Sequence, residues 1–119
     1  DAPPTYMGGN SHVSHSAINR GSVIEGTVET SVLSPRVTIE KGARVSYSVI
    51  LPGVTVESGA VIEYAIIGEN CVIESGARIG KSPESVENRD DWGIAVLGHD
   101  ITVSENKEVD PKQIISENI

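Results

Sequence analysis

The sequence predicts an all-β chain wound into a single-stranded parallel β-helix of about four coils with one extruded loop, and three observations carry that prediction. The chain repeats itself every 17 residues, its apolar residues are mostly Val and Ile with no Phe and one Trp, and Gly or Asn returns at fixed places in the period. A short internal period marks a solenoid, in which each repeat buries its apolar face only against its neighbours. β-branched side chains suit a narrow, pleated interior.

The elements follow in chain order. Residues 1–12 open with Asp1-Ala2-Pro3-Pro4 and read as a linker continued from an upstream domain, which leaves the β-helix over 13–119. VSHSAIN from Val13 matches VETSVLS from Val28 at an offset of 15, and residues 22–38 match the next repeat over their second half. Residues 39–55, IEKGARVSYSVILPGVT, then match residues 56–72, VESGAVIEYAIIGENCV, and 73–79 begin again as IESGARI. IAVLGHDITV from Ile94 matches YAIIGENCVI from Tyr64 at an offset of 30, so an insertion occupies about 81–93.

Within a period, Ile39, Val45, Ile50 and Val56 are spaced by six, five and six, so each coil holds three short strands with corners between them. Ala43, Ser48 and Val54 stand two before an aliphatic residue, and the two-residue strand period puts them on the same, inward face. The inward columns read Val28, Val45, Ile62, Ile79, then Leu33, Ile50, Ile67, Leu97, then Ile39, Val56, Ile73, Val103. Gly42, Gly59, Gly76 and Asn106 share one corner, and Gly53, Asn70 and Asp100 another; all are residue types that tolerate positive φ. Locked to the strand period, these glycines are corners rather than a phosphate-cradling loop. Spacings of five and six never settle onto one face of a helix with 3.6 residues per turn.

The same alternation turns Val49 outward, and its column reads Ala17, Val32, Val49, Ile66, Val96. An apolar stripe on an outer face predicts packing against another domain or subunit. Thr38, Thr55 and Thr102 on one of the remaining faces, and Arg44 and Arg78 on another, are what solvent requires.

Composition excludes several classes. Seventeen acidic against nine basic residues give a net charge of -8, which opposes nucleic-acid binding. No apolar run approaches the roughly 20 residues of a membrane span, and nothing resembles a signal peptide, so no membrane partner and a cytoplasmic location are expected. Cys71 stands alone and reads as a small buried apolar residue. His12 and His15, three apart on a strand, point to opposite faces and make a poor shared metal site, and His99 sits at a corner beside Asp100. The insertion SPESVENRDDWG is a solvated charge run pinned by Trp92, and Tyr47 and Tyr64 form an aromatic ladder one period apart. No metal site and no catalytic residue is assigned.

The repeat, aliphatic, small or acidic, two variable, small, variable, resembles the hexapeptide pattern, whose families fold as left-handed β-helices. The handedness rests on that resemblance. Such families include acyltransferases that use a histidine base on an extruded loop, and the loop here has no histidine. A hexapeptide acyltransferase is therefore the alternative reading.

The phrases VETSVLSP, SVILPGV and EYAIIGEN in that order, together with the insertion ending DDWGIAVLG, resemble the C-terminal domain of bacterial glucose-1-phosphate adenylyltransferases. PPTYMGG resembles the segment that leads into that domain. The resemblance implies a two-domain enzyme forming ADP-glucose and pyrophosphate from ATP and glucose 1-phosphate, with the chemistry and its Mg2+ in a catalytic domain absent from these residues. It implies no cofactor and no activity for this chain alone, a regulatory and assembly role within a homotetramer, and contact with phosphorylated effectors. Noncatalytic assembly subunits of the same family are a further alternative. Arg78, Lys81 and His99 are the candidate anion contacts, expected to cluster near one corner; Glu69 occupies the turn where enterobacterial members carry an arginine.

Overall fold

Outward and inward residues alternate for two or three positions and are then interrupted by a corner, and this pattern yields, among the described residues, eighteen strands of two or three residues each. The computed structural model describes residues 3–119; Asp1 and Ala2, the start of the segment read as linker, lie outside the described residues. The first coil is β1 (Tyr6–Met7), β2 (His12–Ser14) and β3 (Ala17–Ile18). The second is β4 (Val23–Ile24), β5 (Thr27–Glu29) and β6 (Val32–Leu33), and the third β7 (Thr38–Ile39), β8 (Arg44–Ser46) and β9 (Val49–Ile50). The fourth is β10 (Thr55–Val56), β11 (Val61–Glu63) and β12 (Ala65–Ile67). The fifth is β13 (Val72–Ile73), β14 (Arg78–Ile79) and, after the insertion, β15 (Ala95–Leu97); the sixth is β16 (Thr102–Val103), β17 (Glu108–Val109) and β18 (Ile114–Ile115).

Every third strand pairs in parallel, giving three sheets of six strands that form the walls of a three-sided prism. The coil count is thus six, against the four or so expected from the repeat. The outer coils are matched only in part, at residues 13–19 and 102–106, because the spacing changes: Val23 pairs with Thr38 fifteen residues on, and Arg78 with Glu108 thirty residues on. Tyr6 and Met7, inside the segment 1–12, pair with Val23 and Ile24 and so begin the first coil. At the far end the chain folds back over the open edge of β16. There Ile119 N–H donates to Thr102 O (3.1 Å), and Thr102 N–H to Asn118 Oδ1 (2.8 Å). Covering an edge in this way blocks further strand pairing.

The three inward columns are buried as expected, with Val28, Val45, Ile62 and Ile79, and likewise Leu33, Ile50 and Ile67, fully excluded from solvent. Each such aliphatic side chain contributes about 1.5–3 kcal/mol relative to exposure. The short second coil depends on Gly26, whose place between β4 and β5 lies against the carbonyls of Ala43 and Glu40, so a Cβ there would strike backbone. That contact lets Ile24 and Val28 be joined by a corner two residues shorter than the Ile39–Val45 corner above it.

The corner between the second and third sheets, where Tyr47 and Tyr64 are expected to stack, has a backbone conformation that the sequence did not announce. His15, Thr30, Tyr47 and Tyr64 occupy it with φ of 48°, 48°, 49° and 51°, a left-handed conformation unusual for bulky residues. A serine ladder beside it holds them there. Ser31 N–H donates to Ser16 Oγ (3.0 Å), Ser48 N–H to Ser31 Oγ (3.1 Å) and Ala65 N–H to Ser48 Oγ (3.2 Å). Each hydroxyl in turn donates to a carbonyl two residues back, Ser48 Oγ to Ser46 O at 2.8 Å. The hydroxyls satisfy backbone N–H groups that the corner takes out of the regular ladder.

Candidate functional site

The third sheet presents the apolar stripe. Ala17, Val32, Val49, Ile66 and Val96 are in register on consecutive coils, and Ile114 on β18 extends the column by one. Val32, Val49 and Ile66 are 45%, 38% and 37% exposed and Ile114 is 77% exposed, while the inward neighbours Leu33, Ile50 and Ile67 of the first three are buried and Ile115 beside Ile114 is partly buried. Six positions at the strand separation of about 4.8 Å make a stripe roughly 24 Å long. Ile114 lies beyond Asn106, the last residue that the repeat columns reach in its coil. One border of the stripe is the corner of Thr30, Tyr47 and Tyr64; the other carries Leu51, Glu69, His99 and Asp100.

The candidate anion contacts do not form one cluster. Arg78 on β14 and Lys81 at the start of the insertion line a cleft of about 250 Å³ with Glu63, Ser82, Ser85 and Glu108. His99 lies beyond the stripe, at the corner between the third and first sheets, in a groove with Ile66, Glu69 and Asp100. The separation follows from the prism: Arg78 and Lys81 belong to one corner region and the residues after β15 to another. His99 Nδ1 is 2.6 Å from Asp100 Oδ2, and this bond, with the attraction of the same carboxylate, raises the imidazole pKa above its ordinary value. Both side chains are largely exposed, so the pair is a surface feature.

The insertion is built rather than loose. Two single 3-10 turns, Pro83–Ser85 and Arg89–Asp91, shape it. Trp92 Nε1 donates to Lys81 O (2.7 Å) and closes its base, and the Trp92 indole meets the Tyr64 ring edge-on with centroids 5.6 Å apart. Tyr64 is stacked on Tyr47 at 4.7 Å with 6° between planes, so the expected ladder continues into the pin. Lys112 Nζ donates to Asp90 O (3.0 Å) and fixes the far side.

The remaining reactive groups are dispersed. Cys71 is fully buried, its Sγ 3.0 Å from Gly98 O, and burial pushes its thiol pKa up. His12 lies exposed on β2 and His15 exposed at the left-handed corner. Among the described residues no group of three His, Cys, Asp or Glu side chains converges as a metal site, and no helix is long and apolar enough to cross a membrane. What this surface offers is one flat apolar face and one cleft of mixed charge, an arrangement for binding.

Residues 5–103 match the family described as GlmU-like, C-terminal hexapeptide. Among curated proteins, the chain is 54% identical over 43 residues to a glucose-1-phosphate adenylyltransferase of Geobacillus stearothermophilus, covering 36% of this chain and 11% of that protein. It is 56% identical over 45 residues to the glycogen biosynthesis protein GlgD of the same organism, covering 38% of this chain and 13% of that one. The alignments thus span only about a tenth of each relative. Among solved structures, the acetyltransferase domain of PglB from Neisseria gonorrhoeae superposes with a TM-score of 0.73 at 22% identity, over 99% of this chain and 52% of that one. A GDP-perosamine N-acetyl transferase from Caulobacter crescentus gives 0.58 at 14% identity, over 94% and 50%. At such identities the likeness concerns the fold alone.

Proposed function

Since the chain belongs to the GlmU-like C-terminal hexapeptide family, we propose that it is the assembly and regulatory β-helix domain of a glucose-1-phosphate adenylyltransferase or of a GlgD-type assembly subunit. The observation that carries this reading is the identity of about half the aligned residues, over 43 and 45 positions, with those two proteins. The stripe supports it: an exposed, in-register apolar face of this length is costly to leave in water and suits a domain or subunit contact. The catalytic domain and sister subunits are the proposed partners, a phosphorylated small molecule the proposed effector, and the cytoplasm the proposed location. Nucleotide chemistry, with its Mg2+, belongs to the catalytic domain; the residues described here bind and position.

The test is an assay of the full-length product with ATP, Mg2+ and glucose 1-phosphate. ADP-glucose formation, or stimulation of a partner subunit that forms it, is expected, and a full-length product that does neither overturns the reading. Val49→Asp with Ile66→Asp, placed in that product, is expected to dissociate its oligomer or detach the domain; an unchanged sedimentation profile and unchanged regulation would remove the role assigned to the stripe.

A further inference from the structure

The three corners of the prism are built from different residues. Gly42, Gly59, Gly76 and Asn106 turn the chain between the first and second sheets, and Gly21, Arg36, Gly53, Asn70 and Asp100 turn it between the third and first, mostly types for which positive φ costs little. The remaining corner takes the same conformation with His15, Thr30, Tyr47 and Tyr64. A ring-bearing residue in the left-handed region is strained, and strain of this kind gathers at ligand-binding positions. The rings follow the coil step. Tyr64 stacks on Tyr47 with centroids 4.7 Å apart, and Trp92 meets Tyr64 edge-on. In register on the two preceding coils come Thr30, which carries no ring, and then His15. Among the described residues Tyr64 is the one ring partner of Tyr47, which is half-exposed, so the other face of Tyr47 is open above Thr30.

The interruption leaves a groove of about 590 Å³ walled by His15, Thr30, Tyr47, Val32 and Val49. Two coil steps separate the His15 and Tyr47 positions, about 9.6 Å at the usual strand separation. A flat ring touching both neighbours needs about 7–8 Å at ordinary carbon contacts, and a puckered saturated ring needs more. No Lys, Arg, Asp or Glu lines the groove, so it offers an ion no counter-charge. Ser31 and Ser48 are engaged in the serine ladder. The polar groups that remain are the hydroxyls of Thr30 and Tyr47 and the imidazole of His15, which both donate and accept and have no hydrogen-bond partner among the described residues. Sugar hydroxyls match such groups, and the electron-rich face of Tyr47 attracts the C–H face of a pyranose. We propose that this slot binds one pyranose ring of a neutral sugar, stacked on Tyr47 over Thr30, with its hydroxyls on Thr30 and His15. The slot is separate from the cleft of Arg78 and Lys81, and the proposal goes beyond the function proposed above without depending on it. Val32 and Val49 belong to the stripe, so in the full-length product the slot borders the proposed contact, a common setting for a ligand site.

The experiment is an NMR titration of the 119-residue chain with glucose, maltotriose, glucose 1-phosphate and N-acetyltryptophanamide. Saturable shifts at Tyr47, Thr30 and His15 are expected with a neutral sugar at about 1–10 mM. Equal affinity for glucose and maltotriose assigns the slot to a free sugar, and tighter binding of maltotriose assigns it to a sugar chain; both fit a single stacked ring. Thr30→Tyr is the decisive variant. It places a ring in a conformation that Tyr47 already holds, extends the ladder into the slot, and is expected to weaken sugar binding at least about tenfold with no loss in thermal midpoint. Tyr47→Leu is expected to weaken it by about the same factor, and Tyr47→Phe, which keeps the ring face, by about threefold or less. Thr55→Ala, on the first sheet, is expected to change nothing. Thermal midpoints check that each variant is folded, and Tyr47→Leu against Tyr47→Phe carries the test if Thr30→Tyr is not. No saturable shift with either neutral sugar up to about 20 mM overturns the proposal. So does unchanged sugar binding by Thr30→Tyr, or binding of glucose 1-phosphate at these residues more tightly than glucose. Binding of N-acetyltryptophanamide without binding of sugar overturns it too, and makes the slot a receptor for an aromatic side chain of a protein. Because the titration needs only this chain and the ADP-glucose assay needs the full-length product, failure of one is distinguishable from failure of the other.

Discussion

Replacing Ile50 with Ala and, in a separate variant, its neighbour Val49 with Ala places two truncations one residue apart on opposite faces of β9. Ile50 is fully buried between Leu33 and Ile67 of the adjoining coils, whereas Val49 is 38% exposed. Ile50→Ala removes three buried carbons, about 2.4 kcal/mol at roughly 0.8 each, and the cavity left in a rigid column raises the loss to about 3 kcal/mol. Val49→Ala removes two carbons that are already partly wet, a loss of about 0.5–1 kcal/mol. Total stability of a domain this size is about 5–15 kcal/mol, so the first change consumes a large fraction of it and the second does not. At about 4 °C per kcal/mol, the expected losses in Tm are roughly 12 °C and 2–4 °C. Urea unfolding followed by far-ultraviolet circular dichroism measures both. Equal losses, or a larger loss for Val49→Ala, would mean the strand is slipped by one residue and the stripe faces inward, which would refute the columns and the interface together.

Three further outcomes follow from the geometry. Ser48→Ala removes the acceptor of Ala65 N–H and a donor to Ser46 O at a site 4% exposed, and a loss of about 1–2 kcal/mol is expected in the same unfolding assay; a neutral result would show the ladder to be incidental. Trp92→Ala breaks the bond to Lys81 O and the edge contact with Tyr64. Hydrogen exchange and proteolysis within 81–93 should rise sharply while the coils keep their protection, and unchanged protection would mean the loop is held elsewhere. His99, whose imidazole is stabilised in its charged form by Asp100, should titrate above the ordinary histidine value, and Asp100→Asn should bring the midpoint down. The sign for stability follows: this contribution is present below the unfolded histidine pKa and fades as pH rises through the raised folded value. NMR titration of the ring reads both, and an unshifted midpoint would mean the contact does not persist in solution.

How much was legible in the sequence differs between fold and site. Ile39, Val45, Ile50 and Val56 announced the coil because an inward position tolerates only apolar side chains, and Gly42, Gly59 and Gly76 announced a corner because few residues accept its φ. The positive φ at the corner of Thr30, Tyr47 and Tyr64 gave no such signal, although the tyrosines marked a corner, since its strain is offset by Ser31 and Ser48 on neighbouring coils and not by the corner residues themselves. Ile114 belongs to the stripe but lies past Asn106, where the repeat columns stop.

The sequence by itself determined the solenoid, its three inward columns, the outward turn of Val49 and the Tyr47–Tyr64 ladder, because each depends on a period of two or seventeen that local residue preference enforces. Only the tertiary structure decided that there are six coils, that Arg78 and Lys81 share a cleft with Glu63 and Glu108, and that His99 faces a different groove. Those outcomes depend on which corner of the prism a residue reaches and on how the insertion packs back against Tyr64. Both are set by contacts between residues far apart in the chain, and no preference of the individual residues encodes them.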